Sequence, residues 1–365
     1  MRKDFLTIIA LFVCAHLFAA DWNLIKHDGR DYVTFDNVST FYGLGPVQRQ
    51  GNNGFSIAIG TRSLRGQAGS VEFYINGLKF NLSYPVADHN GQFCVSRMDL
   101  VKIIEPVLRP GKIKDAETMD TVILDPGHGG HDNGAMSPYG NEKTFTLDVA
   151  NRARVLFLEQ GYKVFMTRST DEFIPLEDRV RFANKYPTGI FISIHFNSGG
   201  AGTGIETYTL APRGVPSMME DGPHIADLQL CPGNARDAEN MALATATHAS
   251  IVYHLRSYDH GMYDRGIKRA RFCVIRDITI PGVLLEGGFL SNAYDARLVA
   301  APEYRQQMAA SILQAVQTYR RAVGPSAVQL ARTTPPPTPP APPAEIESPA
   351  PEVGKVTTEE APSAN

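Results

Sequence analysis

Four side chains in this sequence have the types and placement that metal binding and proton transfer would need. His128 stands in Asp125-Pro126-Gly127-His128-Gly129-Gly130, His195 in Ser193-Ile194-His195-Phe196-Asn197, and Glu286 in Leu284-Leu285-Glu286-Gly287-Gly288-Phe289. His195 and Glu286 directly follow short apolar runs, and His128 stands four residues past the run that ends at Leu124. Glu142 opens a stretch that carries Phe145, Val149 and Leu156 on one face of a helix. Two neutral imidazoles and one carboxylate make the ligand set of a catalytic zinc with a position left open for water. A second carboxylate beside that water is what a hydrolase needs to move a proton. Spacing alone does not settle this, because His128, Glu142 and His195 are 14 and 53 residues apart and no His-Glu-x-x-His pattern is present. A strand-end histidine taken alone is more often structural, and a carboxylate at a helix start usually answers the helix dipole. Four such residues converging on one sheet edge favour a site.

The elements that must position them are legible as an α/β pattern. Thr121–Leu124, Lys163–Thr167, Ile190–Ile194 and Val283–Leu285 are short apolar runs suited to strands buried on both faces. Between them lie helical stretches, Lys143–Gln160 ending at Gly161, Leu176–Tyr186, Ala235–Leu255 and Glu303–Val323. The expectation over residues 118–323 is a mostly parallel twisted sheet flanked by helices. In such a sheet, ligands bind at the carboxyl ends of the strands, where His128, His195 and Glu286 fall. Residues 21–112 read as a smaller α+β domain of strands and turns with one late helix. Asp31–Phe35 and Val71–Ile75 are β-rich, Asn76-Gly77 marks a hairpin, and Ser96 caps a helix that runs through Leu100 and Ile104 and stops before Pro106. A linker over Arg109–Asp120 joins the two parts.

Composition closes off other classes. The chain has 365 residues, 43% hydrophobic and 20% charged, with a net charge of -3. Ten of the 25 prolines lie in the last 33 residues, together with five acids against one lysine. Residues 324–365 therefore read as a disordered Pro-rich tail. The body that remains is close to neutral, which leaves no electrostatic footprint for nucleic acid. Arg2 and Lys3 precede an apolar run, Phe5–Ala20, that ends in small residues. Residues 1–20 have the order of a secretory signal, so the protein is expected to be exported, to the periplasm or outer cell envelope, with no stable membrane span afterwards. Cys94, Cys231 and Cys273 remain in the mature chain. A Cys231–Cys273 bridge is conceivable, and free thiols are the favoured reading.

The motifs resemble, in order, those of zinc-dependent N-acetylmuramoyl-L-alanine amidases of the amidase-3 type. The resemblance runs over about Thr121–Arg320 and is carried by Leu124–Gly130, Asn141-Glu142-Lys143, Ser193–Asn197 and Leu285–Asn292. Thr167-Arg168, Leu176–Arg179, Ala183-Asn184 and Arg265–Lys268 also match. It implies one zinc per chain on His128, Glu142 and His195, with Glu286 as general base. His131 is an extra imidazole outside that set. The implied reaction is hydrolysis of the peptidoglycan amide joining the lactyl group of N-acetylmuramic acid to L-alanine of the stem peptide. The front domain resembles the N-terminal domain of copper amine oxidases. Two other readings stay open: a zinc amidase acting on another peptide, and a wall-binding or partner-activating protein without turnover. The segment Ala211–Asn234 is an insert, read as a surface loop; relatives working in cell division gate their own zinc near this point until an activator protein displaces the gate. Here Gly222-Pro223 breaks any long helix.

Overall fold

The computed structural model describes residues 22–113, 119–219 and 224–324. The expected targeting segment, the Pro-rich tail beyond Gly324, and part of the linker and insert lie outside them. Among the described residues no helix is long and apolar enough to cross a membrane.

In chain order the strands are β1 Leu24–His27, β2 Arg30–Thr34, β3 Gln48–Gln50, β4 Gly54–Ile59, β5 Arg62–Gln67, β6 Glu72–Ile75, β7 Leu78–Asn81, β8 Ala87–His89 and β9 Gln92–Ser96. Further along come β10 Thr121–Pro126, β11 Met136–Ser137, β12 Gly140–Asn141, β13 Lys163–Met166, β14 Gly189–Asn197, β15 Ile205–Leu210, β16 Asp264–Ala270 and β17 Gly282–Phe289. The helices are α1 Phe35–Tyr42, α2 Arg97–Asp99, α3 Glu105–Leu108, α4 Glu142–Glu159, α5 Leu176–Ala183, α6 Asp237–Tyr258, α7 Cys273–Arg276, α8 Ala293–Ala300 and α9 Pro302–Val323.

An 11-stranded sheet runs in the order β13-β10-β14-β17-β15-β16-β7-β6-β5-β4-β3. Strands β13, β10, β14 and β17 are parallel. From β13 to β7 the direction reverses at one place, where β15 pairs antiparallel to β17 through Glu206↔Glu286 and Tyr208↔Leu284; beyond it β7, β6, β5, β4 and β3 alternate as an antiparallel meander. Strand alternation sends Val122, Leu124, Ile192, Ile194, Val283 and Leu285 to one face, under Val149, Ala153, Leu243 and Ile312 of α4, α6 and α9. Ile123, Phe191, Tyr208 and Leu284 point to the other, under Val180 of α5 and Val274 of α7. The four parallel strands thus read as unbroken apolar runs because both of their faces are covered.

The front part is not a bead on a linker. Its meander β3–β7 continues the same sheet, with Phe80 of β7 registered against Ile267 of β16, and its core residues Phe35, Phe55, Leu64, Phe73 and Phe80 join the larger hydrophobic cluster. The seam is fastened by polar groups. Asn81 Nδ2 donates to the carbonyls of Arg265 (3.4 Å) and Ile267 (3.2 Å), and the buried guanidinium of Arg269 donates to the carbonyls of Asn81 and of Leu82.

Two local expectations are corrected. Phe35 does not continue a strand: Thr34 accepts from the Asn37 amide through its side chain and starts α1, which Gly43 closes in the left-handed region at φ 61°. Nor does the late helix stop before Pro106. It passes through a π-type turn at Leu100–Ile104 into α3, with Pro106 in α3's first turn. The missing proline N–H costs nothing where a new helical turn begins. Among the described residues Cys94, Cys231 and Cys273 are unpaired.

Candidate metal and catalytic site

The loop after β10 is built to turn sharply under the end of β14. His128 itself takes φ 61°, with Gly129 at 131° and Gly130 at 58°, backbone that costs a side chain energy. Two buried guanidiniums hold it there. Arg168 donates to the carbonyls of Pro126 (2.9 Å) and Gly127 (2.8 Å). Arg179 donates to Pro126 (2.8 Å) and His128 (2.7 Å), and its charge is met by Asp125 at 2.8 Å. Asp125 is also hydrogen-bonded by Thr167 (2.6 Å) and Ser193 (2.7 Å). Burial opposes its ionisation, but Arg179 and these hydroxyls outweigh burial and hold its carboxyl below the usual range. Gly127 is required by space: a Cβ there would lie 2.2 Å from Cε1 of His195.

His128, Glu142 and His195 come together, each offering a ligand atom within 4.8 Å of the others. Glu142 is the first residue of α4 and 3% exposed. It reaches over the strand ends from the opposite layer. Its Oε1 lies 2.9 Å from His195 Nδ1 and accepts from the Phe196 amide at 3.0 Å. Its Oε2 lies 3.0 Å from His128 Nε2 and accepts from the Ala135 amide at 2.8 Å. Burial disfavours this carboxylate's charge, yet the two imidazoles and their hydrogen bonds prevail and the carboxyl is held far below its ordinary value. His128 is shifted the other way. Burial lowers its proton affinity, but Glu142 and then Asp132 raise it further than burial lowers it.

Glu286 sits beside His195 in register and lines the same cavity, about 500 Å³, with His128 and Asp132. Its Oε2 is buried and has no hydrogen-bond partner. Burial, then the charges of Glu142 and Glu206, push its carboxyl well above the usual range, with Lys268 pulling weakly the other way. The described residues of the Ala211–Asn234 insert do not line this cavity. They are bound instead to Arg271, which donates to the carbonyls of Pro212 (3.0 Å) and Val215 (2.7 Å) and pairs with Asp227 at 2.5 Å.

All four residues expected from sequence are therefore at one place. His131 is not among the cluster; its ring packs on Phe173 with centroids 4.3 Å apart. Two participants were not singled out from sequence. Asp132 Oδ2 lies 2.8 Å from His128 Nδ1, which leaves Nε2 to face Glu142. Its signal is a carboxylate four residues after a strand-end histidine. Glu206, paired across the sheet with Glu286, is 1% exposed and bound by Arg265 at 2.7 Å, by Lys268, and by Tyr208 at 2.9 Å. Burial raises its proton affinity less than Lys268 and Arg265 lower it, so it remains a charge beside Glu286. Nothing local in the sequence announces that pairing.

Two imidazole nitrogens and a buried carboxylate at mutual ligand distance are a donor set able to hold one metal ion, with an unpartnered carboxylate lining the same cavity. The family model Amidase_3, N-acetylmuramoyl-L-alanine amidase, matches residues 122–318. N-acetylmuramoyl-L-alanine amidase AmiA of Escherichia coli (strain K12) is 29% identical over 247 residues, 62% of this chain and 84% of that one. AmiA of Salmonella typhimurium is 30% identical over 230 residues, 57% of this chain and 78% of the relative. Among solved structures, the catalytic domain of CwlV, an N-acetylmuramoyl-L-alanine amidase from Bacillus (Paenibacillus) polymyxa, is 31% identical, covers 55% of this chain and 98% of its own, and has a TM-score of 0.45. The chain belongs to the N-acetylmuramoyl-L-alanine amidase family, hydrolases of the peptidoglycan cell wall.

Proposed function

We propose that His128, Glu142 and His195 hold one zinc ion per chain and that Glu286 is the general base for hydrolysis of the amide between the lactyl group of N-acetylmuramic acid and L-alanine. The observation that carries the reading is the Glu142 carboxylate held between His128 Nε2 and His195 Nδ1, with the unpartnered Oε2 of Glu286 in the same cavity. Two nitrogens and one oxygen suit zinc, and three protein ligands leave a position open. Zinc, when bound, supplies Lewis acidity to the substrate carbonyl and to the attacking water.

The chain's own residues do the rest. Glu142 stays ionised between the two imidazoles. Asp132 fixes His128 in the tautomer whose Nε2 points inward. Glu286, with its proton affinity raised by burial, takes the proton of the attacking water and returns it to the leaving amine. The products are the free lactyl carboxylate and a stem peptide beginning with L-alanine. Phe173, Ile174, Leu176, Phe272, Val274 and Leu284 give the cavity apolar walls that strengthen each charge inside. An intact base argues against a purely wall-binding role. The basic start and apolar run of residues 1–20 support export to the periplasm or outer envelope. The described part of the insert is a surface loop tied down by Arg271, and it is the segment on which an activator protein would act.

The test is mature protein with zinc on intact peptidoglycan, beside Glu286→Ala, with soluble products followed by mass spectrometry. Stem peptides beginning with L-alanine, released by the wild type alone, are expected. Turnover surviving in Glu286→Ala overturns the base assignment. Release of other fragments overturns the substrate bond.

A further inference from the structure

Because β7 joins β16 edge to edge, the face that carries Glu286 does not end with the catalytic strands. Register fixes which side chains share it. Glu286 faces Glu206, and Tyr208 shares its side with Lys268. Beyond the seam the apolar residues Phe80, Phe73, Leu64 and Ile57 all turn to the opposite, core side. Their neighbours Lys79, Tyr74 and Arg65 then lie on the Glu286 side, with Tyr74 registered to Lys79 and to Arg65. One side of the sheet is therefore continuous in register from the reacting carboxylate to β3, covered at Tyr208 and Leu284 by Phe272, Val274 and Met219 and polar beyond the seam. From β17 to β6 is four strand steps, about 19 Å.

At its far end this face opens into a groove of about 630 Å³. Gly54, registered against Gln67, leaves the floor without a side chain. The rim supplies amides and a hydroxyl from Gln50, Asn52, Asn53, Gln67 and Ser70. Its guanidinium, Arg65, is stacked on the Tyr74 ring at 4.0 Å, and Glu72 is already met by Lys79 at 2.6 Å and by the Tyr74 hydroxyl at 2.6 Å. Neutral side chains that both donate and accept suit hydroxyl and N-acetyl groups. Arg65 and Glu72 are the one cation and the one carboxylate among the lining residues, so the groove carries no net positive charge to draw an acidic peptide.

We propose that this groove binds the glycan strand of polymeric peptidoglycan at a distance from the cut bond, so that the front part selects intact wall over short fragments. The proposal rests on the amidase reading for the identity of the polymer. A ligand spanning both places must be a polymer, since the reacting centre and the groove are several strands apart.

The experiment compares full-length wild type with a Gln67→Ala/Tyr74→Ala double variant and with Gln50→Glu, which adds one charge at the rim and touches no core residue. Turnover is measured on intact sacculi and on a soluble short muropeptide, and sedimentation with sacculi is measured with zinc chelated. Both variants are expected to lose about tenfold in kcat/KM on sacculi and to sediment less, with muropeptide turnover unchanged. Soluble N-acetylglucosamine oligomers should compete for sedimentation of the wild type. Equal rates on both substrates, or an equal loss on both, overturns the proposal. If the wild type cuts neither substrate, the amidase reading fails, while sedimentation still decides the groove.

Discussion

Removing the carboxylate behind His128 tests the metal reading without touching a ligand. Asp132 Oδ2 lies 2.8 Å from His128 Nδ1, and its Oδ1 accepts from the Gly134 amide at 3.0 Å. Carboxylates placed behind metal-bound imidazoles are each worth roughly 10–100-fold in metal affinity, or about 1.4–2.7 kcal/mol. The Asp132 side chain is 40% exposed, so water partly replaces it and the lower end applies. Asp132→Ala should therefore weaken zinc binding about tenfold. Asp132→Asn retains an oxygen for the Gly134 amide and should separate loop anchoring from the charge on His128. His131→Ala is the control, because that ring packs on Phe173 rather than in the cluster. Zinc affinity would be read by competition with a chromophoric chelator near neutral pH, and turnover at saturating zinc should return close to the wild-type value. An Asp132→Ala affinity within twofold of wild type, or a turnover defect that saturating zinc leaves untouched, would refute the reasoning.

Gly127→Ala should cost about a hundredfold in turnover, because the added carbon meets the His195 ring at 2.2 Å and must displace it by more than a bond's tolerance; activity within threefold of wild type on the same substrate would count against so tight a fit. Asp125 ionises more readily folded than unfolded, so its contribution is complete above the unfolded carboxylate range, near pH 4, and disappears as pH falls through the lower folded value. Asp125→Asn strands Arg179 and should lower stability by about 3–5 kcal/mol at neutral pH, with a flatter acid limb in urea titrations; parallel acid limbs would show that the pair is not the cause. Asn81→Ala removes the side chain that bridges two carbonyls of β16. A loss of about 1 kcal/mol and faster amide exchange in β7 are expected, and exchange unchanged there would place the strength of the seam in apolar packing alone.

What could be read from the chain and what could not divide along the range of the interactions. The four parallel strands and the helices that cover them were visible because each is a local pattern, an apolar run or a stripe of residues such as Phe145 and Val149. The site residues were visible for a related reason: a polar residue between an apolar run and glycines is out of place in a core, and three such places at strand ends suggest one edge. The start of α1 was missed because Thr34-Phe35 continues a β-rich run, and the capping bond from the Asn37 amide decides against it. Pairings between distant segments left no trace. Ile267 opposite Phe80, Glu206 opposite Glu286, and Arg168 and Arg179 gripping the carbonyls around His128 depend on which strands become neighbours. These unread contacts are also the ones that set chemistry rather than fold. Glu286 has its proton affinity raised, as the proposed base requires, while that of Glu142, as the proposed ligand requires, is lowered. Both are buried, so burial cannot separate them; partners do. Two imidazoles point at Glu142, whereas Glu286 has no hydrogen-bond partner for Oε2 and the Glu206 charge at its side. The placement of β15 antiparallel beside β17, where the run of parallel strands from β13 first reverses, brings that charge there.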